Sequence, residues 1–69
     1  MILNGAALAT IRERTGLTQL DLAAQSGVSQ GRISELESKD SNVRPGTVKA
    51  LAEALAVPMT ALIKAEAAW

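Results

Sequence analysis

The chain has no cysteine and no histidine, and it also lacks tyrosine and phenylalanine. Without cysteine there are no disulfides and no thiolate nucleophile, and without histidine a second common ligand of transition metals is missing. We therefore expect neither a cofactor nor a metal site. Trp69 is the only aromatic residue among 69. Because the interior is then built from Ala, Leu, Ile and Val, closely packed helices are favoured over a sheet of large flat side chains.

Excess charge and long apolar runs are missing as well. Seven basic and seven acidic residues give a net charge of zero, so binding to a polyanion would require an uneven distribution of charge. No apolar run reaches the roughly 18 residues that span a bilayer, and residues 1–4 lack the pattern of a signal peptide. We therefore expect a cytoplasmic protein without a membrane segment. Its length predicts one domain over residues 1–69, with a core over about 4–63 and a C-terminal tail over 64–69.

Glycines and capping residues mark the ends of the first two predicted helices. Asn4 is placed to cap the first helix, and Gly16 is placed to end it in a left-handed conformation. Thr18 opens a short second helix, and Asp21 three residues later completes a capping box. Gly27 ends that helix.

Three further helices are predicted after Gly27. Ser29 caps a third helix over residues 30–38, Pro45 suits the first turn of a fourth, and Pro58 starts a fifth that carries Leu62. No segment alternates with a period of two residues, so no strand is predicted. The fold class is therefore all-α, with five helices.

The second and third helices fit a helix-turn-helix motif, in which a short turn containing glycine joins two helices. Ala23 is small where the third helix is expected to cross closely, and Gly27 supplies the conformation of the turn. Short or hydrogen-bonding residues remain on the outer face of the third helix, with no apolar reason to be there: Gln30, Gly31, Arg32, Ser34 and Glu35. The alternative is that this face is only a solvated helix surface.

Several short motifs in this stretch and beyond it are typical of one known family. They are Gly16-Leu17-Thr18-Gln19, Leu22-Ala23, Gly27-Val28-Ser29-Gln30, Ile33-Ser34, Leu36-Glu37, Pro45, Leu51-Ala52-Glu53-Ala54-Leu55, Val57-Pro58 and Leu62-Ile63. On these residues the chain resembles the Cro/cI-type (Xre-like) helix-turn-helix domains of lambdoid phage repressors and Cro proteins, from about residue 4 to residue 63. The resemblance implies a lambda-repressor-like fold and a transcriptional regulator, a repressor, that binds a palindromic operator in double-stranded DNA as a homodimer.

The resemblance also implies roles for individual residues. The third helix would enter the major groove, and Gln19 would hold a phosphate and support that helix. Gln30 would read an adenine and Glu35 a cytosine, whereas Gly31 departs from the family because it removes a base-reading side chain. The DNA-binding residues expected from the resemblance and the nearby loop are Gln19, Ser29, Gln30, Gly31, Arg32, Ser34, Glu35, Lys39, Asn42 and Arg44.

Other residues are expected to be structural or to form a dimer. Arg12 and Glu37 match residues that in the family form an ion pair between the first and third helices. This pairing removes Glu37 from the count of charged residues that face DNA. That count then sets Arg32, Lys39, Arg44 and Lys49 against Glu35 and Asp40. The apolar C-terminal segment predicts a homodimer contact made by Met59, Leu62, Ile63 and Trp69.

Two classes of function other than a transcriptional regulator are the alternatives. A protein-interaction module, such as an antitoxin or regulatory subunit with a protein partner, is supported by the neutral charge, the outward position of Leu20 and the apolar tail. An enzyme is poorly supported, since the chain has no His, Cys or Tyr and no phosphate-loop glycines, and no small-molecule substrate is expected.

Overall fold

The computed structural model describes residues 1–64. Its elements, in chain order, are β1 (Ile2–Leu3), α1 (Gly5–Thr15), α2 (Gln19–Ser26), α3 (Gln30–Ser38), β2 (Ser41–Asn42), α4 (Pro45–Leu55) and a 3₁₀ turn (Met59–Ala61). No helix among these residues is both long and apolar enough to cross a bilayer.

The predicted helix ends are confirmed. The Asn4 side chain accepts a hydrogen bond from the Ala7 N–H, and Thr18 and the carboxylate three residues after it form the capping box. Gly16 and Gly27 have φ angles of 82° and 77°, which L side chains rarely adopt. The short turn between α2 and α3 is therefore the one that the local sequence predicts.

The prediction of five helices is wrong, because the described chain forms four α-helices and one 3₁₀ turn. The helical segment that follows Pro58 is a 3₁₀ turn of only three residues, Met59–Ala61. The Leu62 carbonyl then accepts from the Asn4 N–H at 2.7 Å, and the Lys64 N–H donates to the Ile2 carbonyl at 2.9 Å. Backbone groups that a fifth helix would use internally are thus committed to the N-terminal segment.

Two short strands were also not predicted. β1 pairs antiparallel with β2, placing Ile2 opposite Asn42 and Leu3 opposite Ser41. On its other side, Leu3 forms an antiparallel bridge with Ile63. The N-terminal segment therefore lies between the loop that follows α3 and the C-terminal segment, and it holds the two together.

The core is formed by apolar side chains from every helix. The buried residues are Leu3, Leu8, Leu22, Ile33, Leu36, Val43, Val48, Leu51, Ala52, Leu55 and Leu62. Leu3 is among them, so the N-terminal segment contributes to the core. Ile33 and Leu36 are both fully buried, which anchors α3 by one face and turns its opposite face outward.

Gly5 is required where α1 meets the end of α3. A Cβ atom there would lie 2.5 Å from the Leu36 carbonyl oxygen and 3.0 Å from that of Lys39. The Gly5 N–H donates to Asp40 Oδ1 at 3.1 Å. The start of α1 thus packs directly on the backbone of α3, with no room for a side chain.

Candidate nucleic-acid interface

The outward residues of α3 form a continuous polar face. Successive residues of a helix turn by about 100°, so Gln30, Ser34, Gly31 and Glu35 fall, in that order, within an arc of about 140°. All four are exposed. Arg32 is exposed as well but lies outside this arc, on the side of the helix nearer to Leu36. The structure therefore brings four of the predicted residues onto one face and places Arg32 at its flank.

The first turn of α3 is held by its cap. Ser29 Oγ accepts a hydrogen bond from the Arg32 N–H at 3.2 Å, and the Ser29 carbonyl accepts from the Ile33 N–H at 3.0 Å. The capping bond leaves the Ser29 hydroxyl with a proton to donate. Ala23, on α2, is partly buried and packs against the core.

A carboxylate joins the three helices of this region. Glu37 Oε2 accepts from Arg12 Nε at 2.6 Å, and Glu37 Oε1 accepts from Arg12 Nη2 at 3.1 Å. The same Oε1 accepts from Gln19 Nε2 at 3.0 Å, and Arg12 Nη1 donates to the Leu17 carbonyl at 2.8 Å. Because Arg12 lies on α1, Gln19 on α2 and Glu37 on α3, the cluster fixes the position of α3 relative to both other helices.

The protonation of this cluster follows from its contacts. Burial by itself raises the pKa of the Glu37 carboxyl, but hydrogen bonds from Arg12 and Gln19, with the charge of Arg12, leave that pKa below its ordinary value. The hydrogen bond to Glu37 raises the pKa of the Arg12 guanidinium, against the effect of its own burial. Both groups are therefore charged at neutral pH.

The pairing of charges changes which residues make up the predicted basic excess but leaves its size at two positive charges. Asp40 forms an ion pair with Lys64. The hydrogen bond from Lys64 and the one from the Gly5 N–H lower the pKa of the Asp40 carboxyl. Lys49 Nζ lies 3.9 Å from Glu53 Oε1. Asp40 and Lys49 are therefore no longer counted among the charges that face DNA, which removes one negative and one positive charge from the predicted set.

Three of the predicted cations keep their charge available. Arg32, Lys39 and Arg44 are exposed, and in the part of the chain that the structure describes none of them pairs with a carboxylate. Glu35 is the acid on the polar face itself. Among the residues predicted to face DNA the excess is thus two positive charges, although the chain as a whole is neutral.

The remaining predicted residues have other surroundings. Asn42 lies in β2, and its Oδ1 accepts from the Met1 nitrogen at 3.2 Å. The sequence pattern predicts Asp40 among the DNA-facing charges and gives no indication of its contacts with Gly5 and Lys64. A glycine at the first position of a helix was the only available signal for this contact.

The predicted dimer contact is corrected in part. Leu62 is fully buried within the chain, so its side chain is not available to a partner. Met59 and Ile63 are half-buried and pack against the same core, and Trp69 lies outside the described residues. Met59 and Ile63 are the predicted contacts that retain exposed surface.

The comparisons with known proteins agree with this geometry. The family model described as Helix-turn-helix matches residues 8–62. The HTH-type transcriptional repressor RghR of Bacillus subtilis (strain 168) is 43% identical over 60 residues, which are 86% of this chain and 44% of that protein. The chain thus spans less than half the length of this curated relative.

Two solved structures are similar to the whole domain. The restriction-modification controller protein C.AhdI from Aeromonas hydrophila has a TM-score of 0.79 and 30% identity, over 86% of this chain and 89% of that chain. Streptomyces albus HEPD, with 2-hydroxyethylphosphonate and Fe(II) bound, has a TM-score of 0.81 and 30% identity, over 86% of this chain but 13% of that chain. The second likeness means that the fold alone does not specify what is bound. The family match and the likeness to C.AhdI along most of both chains show that the chain belongs to the Cro/cI-type (Xre-like) family of helix-turn-helix DNA-binding domains.

Proposed function

We propose that the chain is a repressor that binds a palindromic operator in double-stranded DNA as a homodimer, with α3 in the major groove. The observation that carries the proposal is the polar face of α3. Gln30, Ser34 and Glu35 are exposed there, while Ile33 and Leu36 behind them are fully buried. A helix anchored in this way presents hydrogen-bonding groups to base edges without moving.

Electrostatics supports the same surface. The two surplus positive charges come from α3 and the segment that joins it to α4, namely Arg32, Lys39 and Arg44 against Glu35. In a dimer this excess is doubled, and contacts to phosphates position a protein on the duplex while base contacts specify the sequence. One relative is named a transcriptional repressor and another a restriction-modification controller, which favours gene regulation as the outcome of binding.

The base-reading role of α3 is tested by selecting bound duplexes from random DNA. The unaltered chain should yield a palindrome whose half-sites lie about one helical turn, roughly 34 Å, apart. Gln30→Ala should reduce discrimination at one base pair in each half-site by about 1–3 kcal/mol. Gln25→Ala is the matched control, since Gln25 is an exposed glutamine on the other helix of the motif, in the last turn of α2. Equal loss of affinity for all sequences would contradict the role of Gln30.

The phosphate-binding role of the loop before α4 is tested by salt dependence. Arg44→Ala should weaken binding to all sequences and reduce the slope of log K against log salt by about one unit for each bound protomer. Lys49→Ala removes the same charge from a side chain that already faces Glu53, and it should leave the slope nearly unchanged. An unchanged slope for Arg44→Ala would exclude a phosphate contact there.

The dimer is tested on the exposed parts of the C-terminal segment. Deleting this segment would remove Leu62 from the core, so Met59→Glu and Ile63→Glu are better variants. Each should convert a dimer into a folded monomer in sedimentation experiments, because a carboxylate would be desolvated at the contact. Thr60→Glu, at an exposed neighbour, is the control for added charge. A monomeric unaltered chain at micromolar concentration would contradict the proposed contact.

A protein partner is the second candidate, and Leu20 is the observation that favours it. Leu20, on α2, is 63% exposed and is not among the residues that pack against the core. If the chain is mainly a protein-binding module, the selection should give salt-sensitive binding without a motif. A palindromic motif would favour the repressor.

A further inference from the structure

Gly31 is a glycine for which the fold itself offers no reason. A Cβ atom at Gly5 would collide with backbone oxygens, and Gly16 and Gly27 have positive φ angles. At Gly31 the backbone is helical, and a Cβ atom would meet nothing within 4 Å. Glycine within a helix destabilises it by loss of conformational freedom, so alanine would fit here and make the domain more stable. The fold of the chain therefore gives no reason for glycine at this position, and a contact outside the chain would supply one.

The position of Gly31 indicates what that outside reason is. Around the helix axis it lies between Ser34 and Glu35, within the polar face and not at its border. We infer that DNA approaches the backbone of α3 most closely at Gly31, and that this position selects a base pair carrying the C5-methyl group of thymine. This inference rests on the proposed function, because it assigns a specificity to one point of the same surface.

The chemistry of the major groove supports thymine. Guanine, cytosine and adenine present hydrogen-bonding groups there, whereas thymine adds an apolar methyl group beside its O4 acceptor. Gly31 has no side-chain donor or acceptor, and its Cα hydrogens make a small apolar surface between two polar side chains. Such a surface gains nothing from a hydrogen-bonding edge, but it can exclude water from a methyl group.

The test uses the duplex selected by the unaltered chain. Each thymine is replaced in turn by deoxyuridine, which removes only the methyl group. One replacement in a half-site should weaken binding about fourfold, the factor expected from the burial of one methyl group. Gly31→Ala should increase the equilibrium constant for folding about two- to fivefold, yet bind the selected duplex at least tenfold more weakly. Its binding should no longer depend on that methyl group.

Gly46→Ala is the matched control. Gly46 is the second residue of α4 as Gly31 is of α3, and a Cβ atom there also meets nothing within 4 Å. The control should gain similar stability and keep the base preference of the unaltered chain, since contacts beside Arg44 would be to phosphate. It therefore separates helix propensity from contact with a base.

The outcomes distinguish this inference from the proposed function. Selective binding in which Gly31→Ala has unchanged affinity and unchanged response to deoxyuridine would overturn the inference alone. Selective binding with no methyl-sensitive position would also overturn it. A chain that selects no duplex at all would overturn the proposed function and this inference with it.

Discussion

Replacing Glu37 with alanine removes the carboxylate that joins α1, α2 and α3. The change deletes two hydrogen bonds from Arg12, of 2.6 and 3.1 Å, and one from Gln19 of 3.0 Å. It leaves the Arg12 guanidinium with only the Leu17 carbonyl as a close acceptor. We expect a large loss of stability, because the mostly buried charge of Arg12 would keep only one counter-charge nearby. That counter-charge is the exposed carboxylate of Glu13, 3.8 Å away.

The magnitude follows from the burial of the pair. The side chains of Arg12 and Glu37 are 12% and 8% exposed, and removing one partner of a buried pair destabilises a protein by about 3–5 kcal/mol. Since both side chains keep some contact with water, we expect about 3 kcal/mol. A domain of this length has a total stability of roughly 3–10 kcal/mol. The melting temperature should therefore fall by roughly 12–24 °C.

Urea denaturation followed by circular dichroism at 222 nm measures the effect. Glu13→Ala is the matched control, because Glu13 also faces Arg12, at 3.8 Å, but its side chain is 70% exposed. The control should change stability by less than about 0.5 kcal/mol. The double variant Arg12→Met/Glu37→Leu should recover most of the loss, since apolar residues of similar volume replace buried ion pairs well. A loss for Glu37→Ala no greater than that for Glu13→Ala would refute the structural role of the cluster.

Three other perturbations test the fold. Gly5→Ala should destabilise by about 1–3 kcal/mol in the same assay, since its Cβ atom would overlap carbonyl oxygens at the end of α3; a neutral effect would contradict the close packing. Ala56→Gly should stabilise by about 0.5–1 kcal/mol, because Ala56 ends α4 with a φ of 57°; destabilisation would contradict the left-handed cap. Folding lowers the pKa values of Glu37, Asp21 and Asp40, so the folded chain binds fewer protons and is stabilised above the ordinary carboxyl pKa values. The free energy of unfolding should therefore decline as the pH falls below about 4.5. The decline should be less steep for Glu37→Gln. An equal slope for that variant would contradict a contribution of Glu37 to the pH dependence.

The helix ends could be predicted because their causes are local. Asn4, Thr18 and Ser29 cap helices through atoms three residues away, and Gly16 and Gly27 adopt left-handed conformations that their own neighbours require. The buried positions could be predicted equally well, because apolar residues recur at helical spacing along each helix. The polar face of α3 followed, because residues that do not belong to the buried face of a short helix must point away from it.

The C-terminal part could not be predicted in the same way, because its structure depends on distant partners. Pro58 is compatible with either a helix or a single turn. The outcome is decided by hydrogen bonds from Asn4 and to Ile2, more than 50 positions away. Strands of two residues are too short to show an alternating pattern. The pairing of Asp40 with Gly5 and Lys64 is likewise a tertiary contact.

Methylation interference on the selected operator tests the central claim most directly. Dimethyl sulfate modifies guanine at N7, in the major groove, and adenine at N3, in the minor groove. If the polar face of α3 reads the major groove, modification of guanine N7 should block binding in two clusters about one helical turn apart, and modification of adenine N3 between them should not. Interference confined to adenine N3, or absent from both grooves, would contradict it.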